Sequence, residues 1–244
     1  LFASTELYNI SMTGNVKNQD VLIYRGEPEQ SLAEFQLIAV GVGERLYRSS
    51  DDELTLTFKD NAEVFNKAIT SAGNPECFGQ VFNIEPVLED AATLQYRVHT
   101  GEIQGITQVR DGGVAVSFTP DLATGTFTLA SAAQGRVTCD VQGAKPSGTW
   151  LQSAKQIIPV LAAKVGLSIN STDIELPEYL LGLYINDEST LSSVLDQIAI
   201  SLMGYWRHTR FGQFEFKALP VSADNPTKTL HGDDIKIGSW TPQT

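Results

Sequence analysis

Apolar positions in the front third of the chain recur at period two, the spacing of strands with one buried and one wet face. Asp20-Val21-Leu22-Ile23-Tyr24-Arg25 is a short apolar run closed by Gly26-Glu27-Pro28, a turn composition. A second run covers Phe35 to Val42, where Gly41 and Gly43 predict a bend or bulge. After Asp51-Asp52-Glu53, Leu54, Leu56 and Phe58 alternate with Thr55 and Thr57. Asn61 to Ile69 is predicted as one short helix with Ala62, Phe65 and Ile69 on one side. Ser71-Ala72-Gly73-Asn74-Pro75 then breaks the pattern as a connector.

Beyond it the chain is again strand-like. Val81–Ile84 and Leu94–Val98 are predicted strands on either side of an acidic turn. Gln108–Arg110 and Val114–Phe118 flank Asp111-Gly112-Gly113, whose glycines supply the positive φ of a tight hairpin. Phe127, Leu129, Val137, Cys139 and Val141 continue the alternation up to a second Gly/Pro/Ser connector, 143–148. The period then lengthens. Trp150, Ile157, Ile158, Leu161 and Val165 predict helix, with Pro159 expected to kink or divide it. Leu191, Val194, Leu195, Ile198 and Leu202 lie on one helical face, capped by Ser189 or Thr190 and ended by Gly204. Tyr205-Trp206-Arg207-His208 then turns through Thr209–Gly212 into Gln213-Phe214-Glu215-Phe216-Lys217, so this helix is expected to pack on a hairpin. The fold class expected is β-rich α+β, with small barrel or meander modules followed by a helix-on-hairpin unit. Its three modules are 1–73, 74–146 and 147–244.

Composition narrows the function classes. Hydrophobic content of 42% with 19% charged residues is globular. The net charge is -12, and acids outnumber bases by 12 to 6 over 1–76, 7 to 4 over 77–147, and 10 to 7 over 148–244. A surface of this sign disfavours specific nucleic-acid binding and docking on anionic lipid. No apolar run approaches the ~18 residues of a membrane span, so stable insertion is not expected. The chain opens on Leu1 rather than Met and carries no signal-peptide pattern, so a piece of a longer protein made in the cytoplasm is expected. Cys77 and Cys139 are expected as two reduced, semi-buried thiols rather than a bridge.

Candidate chemistry is sparse. His99, His208 and His231 have no metal-ligand spacing and are expected as exposed or turn residues. Asp233-Asp234 lacks the regular oxygen spacing of a calcium loop. Glu85 with Glu89 or Asp90 offers paired carboxylates, but hydrolysis of a glycoside needs them set across a cleft. No Gly-x-Ser-x-Gly elbow occurs, and Gly41-Val42-Gly43 is followed by no phosphate-binding helix. Trp150, Tyr205 and Trp206 can stack on sugars, yet core packing of Trp206 against Leu195, Ile198 and Leu202 is the simpler account. No catalytic residue, metal ligand or cofactor is therefore assigned, and binding residues stay unspecified.

Three blocks, in order, resemble a known family: Leu54–Asp60 with Asn66–Ile69, Cys77–Leu88 running into Leu94–Gly101, and Thr190–Leu219 with its Gly204-Tyr205-Trp206 and Phe211-Gly212-Gln213-Phe214 ending. Together they are similar to the central tail protein of siphovirus-like bacteriophages and prophages, a family related to tail-tip and baseplate hubs. The resemblance implies a non-enzymatic virion structural protein: a homotrimer at the distal end of the tail. Such a hub joins the tail tube and its neighbouring tail proteins to the host-recognition apparatus, and is present in the host cytoplasm during assembly. Acids such as Asp51, Asp52 and Glu53 are expected to face the axis and repel DNA. The alternatives are a carbohydrate-binding host-recognition module and a tail-associated cell-wall hydrolase segment.

Overall fold

The computed structural model describes residues 16–27, 29–50 and 53–219. The fold is strand-rich α+β, built from several small sheets, none of which closes into a barrel among the described residues. The front of the chain is a meander, β1 (Asp20–Arg25), β2 (Gln36–Ser50) and β3 (Glu53–Lys59), paired antiparallel in the order β1-β2-β3. The register of β2 against β3 slips between Gly43 and Arg45, the irregularity expected near these glycines. Gly43 is buried so tightly that a Cβ would lie 2.4 Å from the Val16 carbonyl oxygen.

The expected helix over 61–69 is instead a 3-10 turn, Asn61–Asn66. It is opened by Asp60, whose side chain accepts from the Ala62 amide. A second cap at Lys67, bonding back to Val64, closes it too early for a full α-helical stripe. Phe65 and Ile69 are buried all the same.

The middle of the chain is two four-stranded sheets on one core. The strands are β4 (Glu76–Phe78), β5 (Gln80–Ile84), β6 (Val87–Asp90), β7 (Gln95–Arg97), β8 (Ile103–Asp111), β9 (Val114–Ala115), β10 (Phe118–Asp121), β11 (Thr126–Leu129) and β12 (Val137–Ala144). One sheet runs β5-β12-β8-β9 and the other β10-β11-β7-β6. Their shared core includes Val98, Val109, Phe127, Cys139 and Val141, with Tyr96 stacked on Phe127 at 5.4 Å between ring centroids. Gly112 and Gly113 take φ 56° and 89°, turning the β8–β9 hairpin as their sequence requires. The predicted strand 114–118 does not continue: after Ala115 the chain leaves one sheet, and Phe118 opens β10 in the other. A short edge pairing followed by a sheet switch needs only a polar break, which Ser117 supplies.

The remainder is α1 (Ala154–Ala163), β13 (Ile174–Glu175), β14 (Leu183–Ile185), α2 (Leu191–Ser201), β15 (Gly204–His208) and β16 (Phe214–Ala218). Helix α1 is continuous through Pro159, so of the two outcomes expected of the proline, division does not occur. It starts at Ser153 rather than near Trp150, where Gln156 reaches back to the Gln152 and Ser153 amides. Ile157, Ile158, Leu161 and Ala162, on both sides of the proline, are fully buried and hold the helix together across one missing hydrogen bond. Thr190 caps α2, accepting from the Ser193 amide. The residue that ends α2 in the left-handed region is Met203, φ 51°, and not Gly204. Gly204 already pairs in β15, and a Cβ there would come within 2.9 Å of the Lys217 carbonyl oxygen. β15 and β16 form the predicted hairpin, with β13 added parallel to β16.

Core membership crosses both sequence connectors. Phe65 and Ile69 from the front, and Phe78 and Ala144 from the middle, join the core of α1, α2 and β16. Two-stranded pairing of β4 with β14 seams the middle to the last part. No described residue before Phe65 belongs to either buried core cluster. The front sheet is held to the hairpin by the Val40 amide, which donates to the Arg210 carbonyl at 2.8 Å.

Candidate functional site

The most enclosed group of ionisable side chains lies at that seam. Glu76, in β4 between two apolar strands, is only 2% exposed. His99 and Thr100 come from the turn after β7, pinned by the Val98 and His99 amides donating to the Gly125 carbonyl at 2.9 and 3.2 Å. Gly125 takes φ 67° and approaches so closely that a Cβ would lie 2.5 Å from the His99 carbonyl oxygen. Lys164 comes from the C-terminal cap of α1. Glu76 Oε1 accepts from Thr100 Oγ1 at 2.5 Å and from Lys164 Nζ, while Oε2 lies 3.2 Å from His99 Nδ1. Burial pushes the Glu76 carboxyl up. His99, Lys164 and Thr100 together outweigh that effect and hold it below the usual carboxylate range. A shallow depression of about 370 Å³ opens above it, lined by Thr70, Ser71, Asn74, Thr100 and Lys164. The carboxylate, held by Lys164 and Thr100 with His99 Nδ1 beside it, ties β4, the 98–100 turn and α1 together.

His99 is thus a turn residue but a buried one, against the expectation of exposure, because Phe78 covers its ring edge-on at 5.7 Å. His208 is also largely covered, not exposed: its ring faces Phe65 at 5.7 Å, and Nδ1 lies 3.7 Å from Asp60 Oδ1. It borders a polar groove of about 420 Å³ with Asn170, Asp173, Glu175 and Glu215. His231, Asp233, Asp234, Asp51 and Asp52 lie outside the described residues.

The three paired-carboxylate candidates are each engaged separately. Glu85 holds Arg136 at 2.6 Å, Glu89 pairs with Arg97, and Asp90 accepts from the Ala92 amide and Thr93 hydroxyl at 2.8 Å. Trp206 donates Nε1–H to Asp196 at 2.7 Å and packs on Phe65, 5.1 Å between ring centroids, at the margin of the core that holds Leu195 and Ile198. Trp150 Nε1 is buried without a hydrogen-bond partner, and Tyr205 stands exposed on β15.

Cys77 and Cys139 are free and fully buried, not semi-buried, since β4 is covered along its whole length and β12 has a strand on either side. Among the described residues no group of three His, Cys, Asp or Glu is placed to hold a metal ion, and no helix is long and apolar enough to cross a membrane.

Sequence reasoning missed Glu76 and Lys164. The available signal was an acid set directly before the apolar pair Cys77-Phe78; its partners lie 23, 24 and 88 positions away and share no local pattern. No family model matches the chain, and no curated protein or solved structure matches it either.

Proposed function

We propose that the chain is a structural, assembling segment of a phage-type tail hub, acting by presenting sheet surfaces to copies of itself and to neighbouring tail proteins. The observation that carries this reading is the front sheet. It contributes nothing to either core cluster, yet Leu22, Tyr24, Leu56 and Phe58 are 52, 50, 40 and 41% exposed on it. Among the described residues this sheet has no core of its own, and its apolar side chains, with Leu22 on one face and Phe58 on the other, are surfaces built to be covered. The edges of β1 and β3 are unpaired among the described residues, and open edges need partners or charge to avoid uncontrolled aggregation.

Closed cyclic symmetry satisfies such surfaces without fibre growth, and the family resemblance supplies the number three. Further support comes from two buried or half-buried carboxylates whose bonds are internal: Glu76 with Lys164 and Thr100, and Asp140 with both Arg110 Nη atoms at 2.9 and 2.7 Å. Light scattering on the intact gene product, or on isolated tail tips, should give three times the chain mass. A stable monomer there overturns the reading, as does an axial channel lined by Lys and Arg.

A further inference from the structure

His99 Nδ1 lies 3.2 Å from the backbone nitrogen of Cys77 and 3.2 Å from Oε2 of Glu76. These neighbours make opposite demands on one atom. The Cys77 N–H needs a bare lone pair on Nδ1; the Glu76 carboxylate needs a proton there. Both cannot be met at once, and neither neighbour is exposed to water.

From this the geometry points to a proton-operated latch: protonation of His99 moves its Nδ1 bond from the Cys77 amide in β4 to the Glu76 carboxylate. In the neutral ring with the proton on Nε2, Nδ1 accepts from Cys77 and stands in for a strand carbonyl, while Glu76 is held by Lys164 and Thr100. A Cβ on Gly101 would lie 3.9 Å from Nε2, so the residue beside that nitrogen sets no side chain against it. In the protonated ring, Nδ1–H binds Glu76 and ties the 98–100 turn through that carboxylate to Lys164 and α1. The Cys77 amide is then left without its acceptor inside the seam, opposite Tyr184 of β14.

The charged and titratable groups around the ring are few. From β4 comes Glu76; from α1 comes Lys164, acting through Glu76. From the ring's own turn comes Arg97, whose Nη1 donates to the His99 carbonyl at 3.3 Å. The device sits where the middle sheets meet the helical part, so its output is the tightness of the β4–β14 seam. It does not depend on the hub reading.

Nuclear magnetic resonance of the intact chain tests it, following the His99 ring nitrogens and the Cys77 amide from pH 8.5 to 5. The expected result is an Nε2–H tautomer at high pH, a common midpoint for ring and amide, and at least a tenfold loss of Cys77 amide protection on protonation. A ring carrying Nδ1–H at every pH, or an amide that does not follow the ring, overturns the proposal. Glu76→Gln should lower the common midpoint by about one pH unit, as loss of a neighbouring opposite charge does. Should that variant fail to fold, Lys164→Met should raise the midpoint instead, by freeing Glu76 for the ring. A midpoint unmoved by the substitution that folds also overturns it.

Discussion

Trp206 illustrates how one side chain joins distant parts of the chain. Its ring rests on Phe65 and Phe214, and its N–H is satisfied by Asp196 of α2. Trp206→Ala should cost about 3 kcal/mol, the low end for a large aromatic because the ring is only half-buried. Trp206→Phe keeps the stacking and should lose about 1 kcal/mol with the hydrogen bond. Urea titration of both variants checks the split, and equal losses would show that packing is not the larger share.

Glu76 carries a pH dependence whose sign follows from its lowered folded-state pKa. Its stabilisation is complete above the unfolded carboxyl value of about 4.3 and is lost as pH falls through the folded value. Glu76→Gln should therefore be less stable than the unaltered chain at pH 7, by about 2 kcal/mol for a broken buried network with a partly exposed Lys164. The difference should shrink as pH falls below 4, read by urea denaturation at each pH. The thiols behave oppositely. Burial pushes Cys77 up strongly and Cys139 up to about 12, so neither forms thiolate near neutrality. Both should resist a disulfide reagent at pH 8 until the protein is unfolded, and fast labelling of either would contradict their burial.

At the scale of elements, helix α1 pays for Pro159 with one backbone hydrogen bond in a ten-residue helix. Interior proline is about 3 kcal/mol worse than Ala in a helix, partly offset by the stiffer unfolded chain and by packing lost with the ring. Pro159→Ala should thus stabilise by about 1 kcal/mol, measured as a higher urea midpoint at unchanged slope. A loss of stability would mean that the ring's contacts outweigh the bond. The connectors make a second expectation at this scale. Residues 71–74 and 146–149 are exposed turns, whereas most of the strands between them, the short edge strand β9 apart, are paired on both sides or carry residues of a core. Limited proteolysis should cut first within about five residues of one of these turns, as exposed tips are the usual sites. Dominant early cuts inside 81–141 would show that the middle sheets open more readily than the connectors.

For the whole molecule, the decisive asymmetry among the described residues is between a back with two core clusters and a front sheet that joins neither. Leu22→Ser combined with Tyr24→Ser removes apolar area that is about half exposed, so the isolated chain should stay folded and lose about 1–2 kcal/mol. Assembly of the intact gene product should weaken. The same pair unfolding the isolated chain would place these residues in a core after all.

The alternation of Leu54, Leu56 and Phe58, the Asp111-Gly112-Gly113 turn and the Leu191–Leu202 stripe announced a β-rich α+β chain with its helices at the back. Those signals are local: a side chain's period and a glycine's φ are set by residues within a turn or two. The same locality explains the errors. Periodicity cannot weigh a proline against the burial of Ile157 and Leu161, nor tell whether Met203 or Gly204 turns the chain, because Gly204 is claimed by a close approach to β16. The Glu76–His99–Lys164 network, the crossing of Phe65 and Phe78 into one core, and, among the described residues, the front sheet's place outside both core clusters depend on contacts between segments far apart in the chain. Only tertiary packing brings those segments together, since the free energy that selects them comes from burying both partners at once.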